Sequence, residues 1–264
     1  MERVCTVNMK HIDKRFGSIH AGEVRRLARQ YGAELTVHSY SWDLNLISMN
    51  KAERAVALEL TKKAIRLAAF LDAKQVTIHP GRELFPAPGL DYDRLLAKTS
   101  SVLGSYAAQW GTTASFEIME KIQRERLTSA EAVRRMEMAA RTSISWKYTV
   151  DLAHCDRAGE AESLAVLLNG QISEFHVSNK KGTKRHIADV AAGDFDLPLL
   201  LAALAPCGLP YVLEGLDFSA DAAMFKHIMT YLGMEGERTN ENKKDSPAIG
   251  LLCHSDHHLG RLRQ

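Results

Sequence analysis

Along the chain, short runs of apolar, β-branched and aromatic residues alternate with longer amphipathic stretches. The short runs fall at 4–9, 34–38, 75–79, 113–118, 148–152, 172–177 and 211–214. Each is brief and most are rich in Val, Ile, Thr or aromatics, which predicts strands. Between them, 21–31, 51–71 and 91–110 carry apolar positions at helical spacing, as Arg54, Leu58, Ala64, Leu67 and Ala68 illustrate. Gly32, Gly111 and Gly208 stand where such helices should stop before the next strand. Repeated strand-then-helix units with strands this short predict a parallel sheet, either doubly wound or closed into a barrel.

The length of 264 residues suits one large domain, since (β/α)8 barrels commonly run to about 250 residues. The pattern yields seven strands rather than eight, and the chain enters its first strand almost at once. The expectation is therefore an α/β TIM-type barrel lacking its first β–α unit, through truncation or a misplaced start. An open or gapped barrel is the other form it can take. From about residue 235 the sequence GERTNENKKDSP is polar and aperiodic. The division expected is a barrel over 1–234 and a polar linker with a flexible tail over 235–264. That tail holds His254, Asp256, His257 and His258, a cluster more in keeping with a flexible end than with a metal site.

Composition narrows the partners. A formal net charge of +2 and a pI near 8.3 fall short of the basic balance, above about pI 9, usual in a dedicated nucleic-acid binder. The four cysteines (Cys5, Cys155, Cys207, Cys253) show no CxxC spacing, as expected of free thiols in a reducing cytoplasm. No apolar run reaches the roughly 18 residues of a membrane span, so the expectation is a cytoplasmic protein without membrane contact. No glycine-rich dinucleotide fingerprint, phosphate-binding P-loop or GxSxG elbow is present, which leaves nicotinamide, ATP and serine-hydrolase chemistry without support.

The informative feature is what ends the strands. His38, His79, Glu117, Asp151, His176 and Glu214 close six of them in succession. In a parallel barrel those ends share one face, where active sites of this architecture are built. Carboxylate oxygens suit hard divalent cations, and imidazole adds selectivity toward Mn, Zn, Fe or Co. A plainer account has Asp151 and Glu214 capping helices and the histidines bonding buried carbonyls. That account serves any single residue better than it serves the set.

The segments VHSYSWDLNLIS, LDAKQVTIHPGRE, SFEIME, TVDLAHC, ISEFHVSN, RHIADVAAGDFD and PYVLEG resemble the xylose-isomerase-like TIM-barrel superfamily. That superfamily includes sugar and sugar-phosphate isomerases and epimerases and the endonuclease IV enzymes. In the epimerase branch the resemblance implies one divalent metal (Mn, Co, Mg or Zn) held by Glu117, Asp151, His176 and Glu214. Glu117 and Glu214 would double as the acid/base pair working through an enediolate, and His154 would bind a substrate oxygen. His186, Lys184 and Arg185 are further candidates for substrate contact, the basic run Lys180, Lys181, Lys184 and Arg185 being a candidate phosphate handle. A homo-oligomer is compatible with this reading.

In the endonuclease branch the resemblance implies a three-zinc cluster and cleavage at abasic sites. His38 and His79 match ligands of a first metal bridged through Glu117, and His154 and His186 match ligands of a third. Lys184 stands where that pattern has an aspartate, and the GDFD turn is one residue further on than usual. Both departures rank this branch second. A third reading, a degenerate barrel serving as a scaffold, follows from the missing strand. Trp42 is a candidate for stacking on a sugar or for packing a loop, and Glu120 an alternative ligand to Glu117.

Overall fold

The computed structural model describes residues 3–9, 20–41, 44–84, 89–140, 143–215, 227, 229–231 and 249–253, with the backbone alone for 3–5, 215 and 249–253. Its strands are β1 (Arg3–Asn8), β2 (Ala33–His38), β3 (Gln75–Ile78), β4 (Thr113–Ile118), β5 (Lys147–Asp151), β6 (Ile172–Val177), β7 (Tyr211–Gly215) and β8 (Ile249–Cys253). The helices among the described residues are α1 (Ala21–Tyr31), α2 (Lys51–Phe70), α3 (Tyr92–Gln109), α4 (Ala130–Ala140), α5 (Ala158–Leu167) and α6 (Leu197–Leu204). Each strand pairs in parallel with its sequence neighbours, and β8 returns to β1, closing the barrel.

The strand count is thereby corrected. The eighth strand does not precede residue 4; it comes from 249–253, inside the stretch expected to be linker and tail. A strand of five residues, IGLLC, behind a long polar segment carries too little pattern to announce itself. It pairs on both sides, Arg3–Thr6 with Ile249–Leu252 and Tyr211–Gly215 with Ile249–Cys253. The gapped barrel and the degenerate scaffold lose the observation that motivated them.

Local signals set the helix ends. The Asn50 side chain accepts from Ala52 N at 2.9 Å to start α2, and Asp91 accepts from Arg94 N at 2.9 Å to start α3. Gly32 closes α1 at φ 60°, its N–H directed at the Ala28 and Arg29 carbonyls, a left-handed cap that suits glycine.

Side-chain alternation then sorts the strands into two faces. One face carries Leu35, Val37, Val76, Ile78, Phe116, Ile118, Val150, Phe175 and Val177, all buried in one apolar cluster with Ala64, Ile65 and Ala68 of α2 and Leu96, Leu103 and Ala107 of α3. The other face lines the barrel lumen with Thr36, Thr77, Ser115, Thr149 and Glu174, all buried. Their polar atoms bond across the lumen: Ser115 Oγ to Thr149 Oγ1 at 2.8 Å, Thr77 Oγ1 to Thr149 Oγ1 at 3.3 Å, and Thr77 Oγ1 donating to Glu174 at 2.7 Å. Two residues further along each strand, on the same face, stand His38, His79, Glu117, Asp151 and His176.

Candidate metal centre and active site

The strand period therefore delivers the site residues to one mouth of the barrel. Ligand atoms of Glu117, Asp151, His176 and Glu214 all lie within 4.8 Å of one another. Two further groups meet the same limit, His38–Glu117–His176 and Asp151–His154–His186. His79, which ends no group of its own, has Nε2 2.9 Å from Glu117 Oε2. The six strand-end residues and the two additional histidines thus form one continuous cluster.

The imidazoles are oriented from behind. His38 Nδ1 bonds the Ser39 carbonyl at 2.8 Å and leaves Nε2 3.5 Å from Glu117 Oε2. His154 Nδ1 bonds the Ile118 carbonyl at 3.1 Å, and its Nε2 faces Glu120 Oε2 at 3.1 Å. His176 is turned the other way, with Nδ1 2.8 Å from Glu214 Oε2 and Nε2 3.1 Å from Glu174 Oε1. His186, at φ 50°, bonds Ser178 Oγ through Nδ1 at 2.8 Å.

Whether the set suits a cation turns on Asp151. Its Oδ1 accepts from Ala153 N at 2.7 Å, the capping role that a plainer account would give it. Its Oδ2 is buried without a hydrogen bond, the neighbouring His186 and His154 nitrogens standing 3.9 and 4.0 Å away. A buried carboxylate oxygen left so is costly unless something positive meets it. Hard oxygens and oriented imidazoles are also the donors divalent ions take. The residues present fit a metal.

Electrostatics agree with a cluster in which buried negative charge calls for positive partners. Burial pushes the Asp151 carboxyl up to about 6, against the pull of His154 and His186. Burial depresses His154, but the Asp151, Glu117 and Glu120 carboxylates outweigh it and raise the imidazole to about 9. His176 is likewise raised well above its ordinary value, burial being overcome by Glu214, Glu174 and Glu117. Burial opposes ionisation of Glu117 and Glu214, yet His79 and His38 hold Glu117, and His176 holds Glu214, well below the usual carboxylate range.

Other expectations fare differently. Lys184 is exposed and its backbone pairs with Lys181 in a tight turn. Within the basic run, Lys180 is buried and donates to the Asp156 carbonyl at 2.7 Å, and the exposed Lys181 donates to the Ala192 carbonyl at 2.9 Å. Arg185 Nη1 bonds the Thr183 carbonyl at 3.3 Å. Trp42 and the histidines of 254–258 lie outside the described residues.

The loop carrying His186 is pinned by Asn179, which donates to the Val190 and Phe195 carbonyls, both at 2.8 Å, and accepts from Phe195 N at 3.2 Å. Gly193 packs on that amide so closely that a Cβ would meet Asn179 Cγ at 2.1 Å.

Three residues were not singled out from the sequence. Glu174 has a signal there, a carboxylate inside the apolar run ISEFHV two positions before His176. Arg82 and Glu125 have none, because they meet only across two loops, in an ion pair whose carboxyl is raised by burial and lowered by Arg82. That pair helps line a cavity of about 540 Å³ bounded also by Ser41, Leu44, Val56 and His79. His79 is a wall common to this cavity and to the carboxylate cluster.

A closed parallel barrel with a carboxylate–imidazole cluster at the ends of its strands defines the class: a (β/α)8 protein with a metal-competent site. Within that class, the xylose isomerase-like TIM barrel family matches residues 4–222, and the chain belongs to it. The solved structure of a D-tagatose 3-epimerase-like protein superimposes with a TM-score of 0.70 at 20% identity, over 88% of each chain. L-ribulose 3-epimerase gives 0.64 at 17% identity, over 90% of this chain and 78% of that one. The TTHB071 protein of Thermus thermophilus, soaked with ZnCl2, gives 0.62 at 18%, over 89% of each. At such identities these likenesses speak for the fold. An uncharacterized protein of Methanocaldococcus jannaschii, MJ1614, is 30% identical over 96 residues, 35% of this chain and 37% of that protein. No helix among the described residues is long and apolar enough to cross a membrane.

Proposed function

We propose that this protein is a divalent-metal-dependent isomerase or epimerase of small sugars or sugar phosphates. The observation that carries the reading is the convergence of Glu117, Asp151, His176 and Glu214 within 4.8 Å of one another. Those four would hold the ion, Mn, Co, Mg or Zn, with His38 and His79 available to a second. A divalent ion bound there supplies Lewis acidity toward adjacent carbonyl and hydroxyl oxygens of a substrate.

The protein's own residues supply the proton traffic. Glu117 and Glu214 serve as an acid/base pair on either side of a substrate carbon. The one that is ionised removes the C–H proton and keeps it, and the other, carrying a proton taken from solvent, delivers its own. Return to the same carbon from the opposite face inverts it; return to the neighbouring carbon moves the carbonyl. The His154 imidazolium donates to a substrate oxygen. His186 contacts the same end of the substrate, and Arg185 and Lys184 lie on the loop that would meet a phosphate. Lys180 and Lys181 are bonded to main-chain carbonyls, which favours an unphosphorylated sugar. The cavity beside His79 gives the rest of the sugar room. The presence of ketose 3-epimerases among the solved structures that share this fold supports the reading.

The test is solvent exchange. In D2O with Mn or Co, candidate ketoses should take up deuterium at the carbon next to the carbonyl, and a chelator should abolish uptake reversibly. Exchange indifferent to the chelator overturns the proposal.

A second reading is an endonuclease IV-like, zinc-dependent abasic-site phosphodiesterase. It is favoured by the three overlapping ligand groups, which could seat more than one ion. Lys184, exposed where that pattern needs a carboxylate, and the near-neutral charge speak against it. It requires more than one tightly held zinc per chain and cleavage of abasic DNA.

A further inference from the structure

His38 and His154 hand their rear nitrogen to a main-chain carbonyl, whereas His176 hands it to a side chain. That side chain is Glu174, with no exposed surface, at the floor of the mouth inside the barrel lumen. One oxygen, Oε1, lies 3.1 Å from His176 Nε2 and accepts from the Thr77 hydroxyl at 2.7 Å. The other, Oε2, is buried without a hydrogen bond. A shift in register between β5 and β6 sets this up. Tyr148 pairs with Ile172 and Thr149 with Glu174, so Ser173 is the extra residue, and Glu174 and His176 both face the lumen.

An isolated carboxylate in such a place costs more than a threonine hydroxyl returns. A partner that carries positive charge removes the cost, and His176 is the imidazole within reach. We infer that Glu174 is the positioning residue of the metal centre. It fixes the Nε2–H tautomer of His176, leaves the Nδ1 lone pair for the ion that Glu117, Asp151 and Glu214 would share, and raises the basicity of that nitrogen. Thr77 holds the carboxylate in turn, so the hydroxyl chain through Thr149 and Ser115 locks the orientation from across the barrel. The inference rests on the metal-dependent reading above and concerns ion binding before any turnover.

The experiment compares full-length wild type with Glu174→Gln, which keeps an acceptor for Nε2–H but loses the charge, and Glu174→Leu, which loses both. Cobalt affinity is measured by competition with a chromophoric chelator, together with the visible spectrum of the bound Co(II) and the Tm of the metal-free proteins. Outer partners of metal-bound histidines are typically worth about 10- to 100-fold in affinity. Expected is a Kd raised about 10-fold in Glu174→Gln and about 100-fold in Glu174→Leu, with a shifted Co(II) spectrum. Both variants should stay folded when metal-free. Variants that bind cobalt with the wild-type Kd and spectrum, with or without a lower Tm, overturn the inference and leave the proposed function standing. Wild type that binds no cobalt overturns both.

Discussion

At the scale of single residues, the two glutamates have separable burdens. Glu117→Gln and Glu214→Gln keep shape but remove the base, so each should lower kcat by about 100-fold or more in a steady-state assay. A variant retaining near wild-type kcat would exclude that side chain from proton transfer. The histidines predict the pH dependence. His154 titrates at about 9 against an ordinary 6.5, and Asp151 at about 6 against 3.8, so the metal-free fold binds more protons than the unfolded chain. The His154 contribution to the stability of that form is therefore complete below about pH 6.5 and is lost as pH rises through 9. Chelator-treated protein should lose several degrees of Tm between pH 6.5 and 9. Metal affinity should climb over the same interval, because protons then compete less for the imidazoles. A Tm that rises with pH would contradict the cluster's electrostatics.

Among the elements, the stretch after β6 is tightly held. Asn179 ties its two ends together, and Gly193 leaves no room for a methyl group against that amide. Gly193→Ala should destabilise by about 1–3 kcal/mol, read as a fall in denaturation midpoint. It should also raise KM, because His186 sits on the displaced loop. Removing the Asn50 cap of α2, by contrast, should cost about 1 kcal/mol and leave KM unchanged. The strands and helices were largely legible in the sequence because hydrophobic period and caps are local. α1 is found at the predicted residues, α2 and α3 within one residue of their predicted ends, and β6 at its predicted residues. What was not legible is the register shift at Ser173, since it depends on how β5 and β6 pair.

For the molecule as a whole, closure is the decisive property. A chain ending at residue 234 lacks β8 and leaves β1 and β7 with open edges, which invites intermolecular pairing. Such a truncation should aggregate or lose its cooperative thermal transition, whereas a chain ending at residue 253 should keep both monodispersity and the transition. Size-exclusion chromatography with circular dichroism distinguishes the outcomes. A well-folded 1–234 fragment would show that β8 is dispensable.

By itself the sequence determined the parallel α/β architecture and the face on which the chemistry falls. A two-residue period places every second side chain of a strand in the lumen, and polar residues at successive strand ends mark its mouth. Tertiary structure alone decided the rest. It showed that five residues beyond the polar segment close the barrel, that Asp151 Oδ2 lies buried without a hydrogen bond, that Glu174 backs His176, and that Lys180 turns inward. Each of these depends on contacts between residues far apart in the chain, whose distances follow from strand register and loop path rather than from local preference.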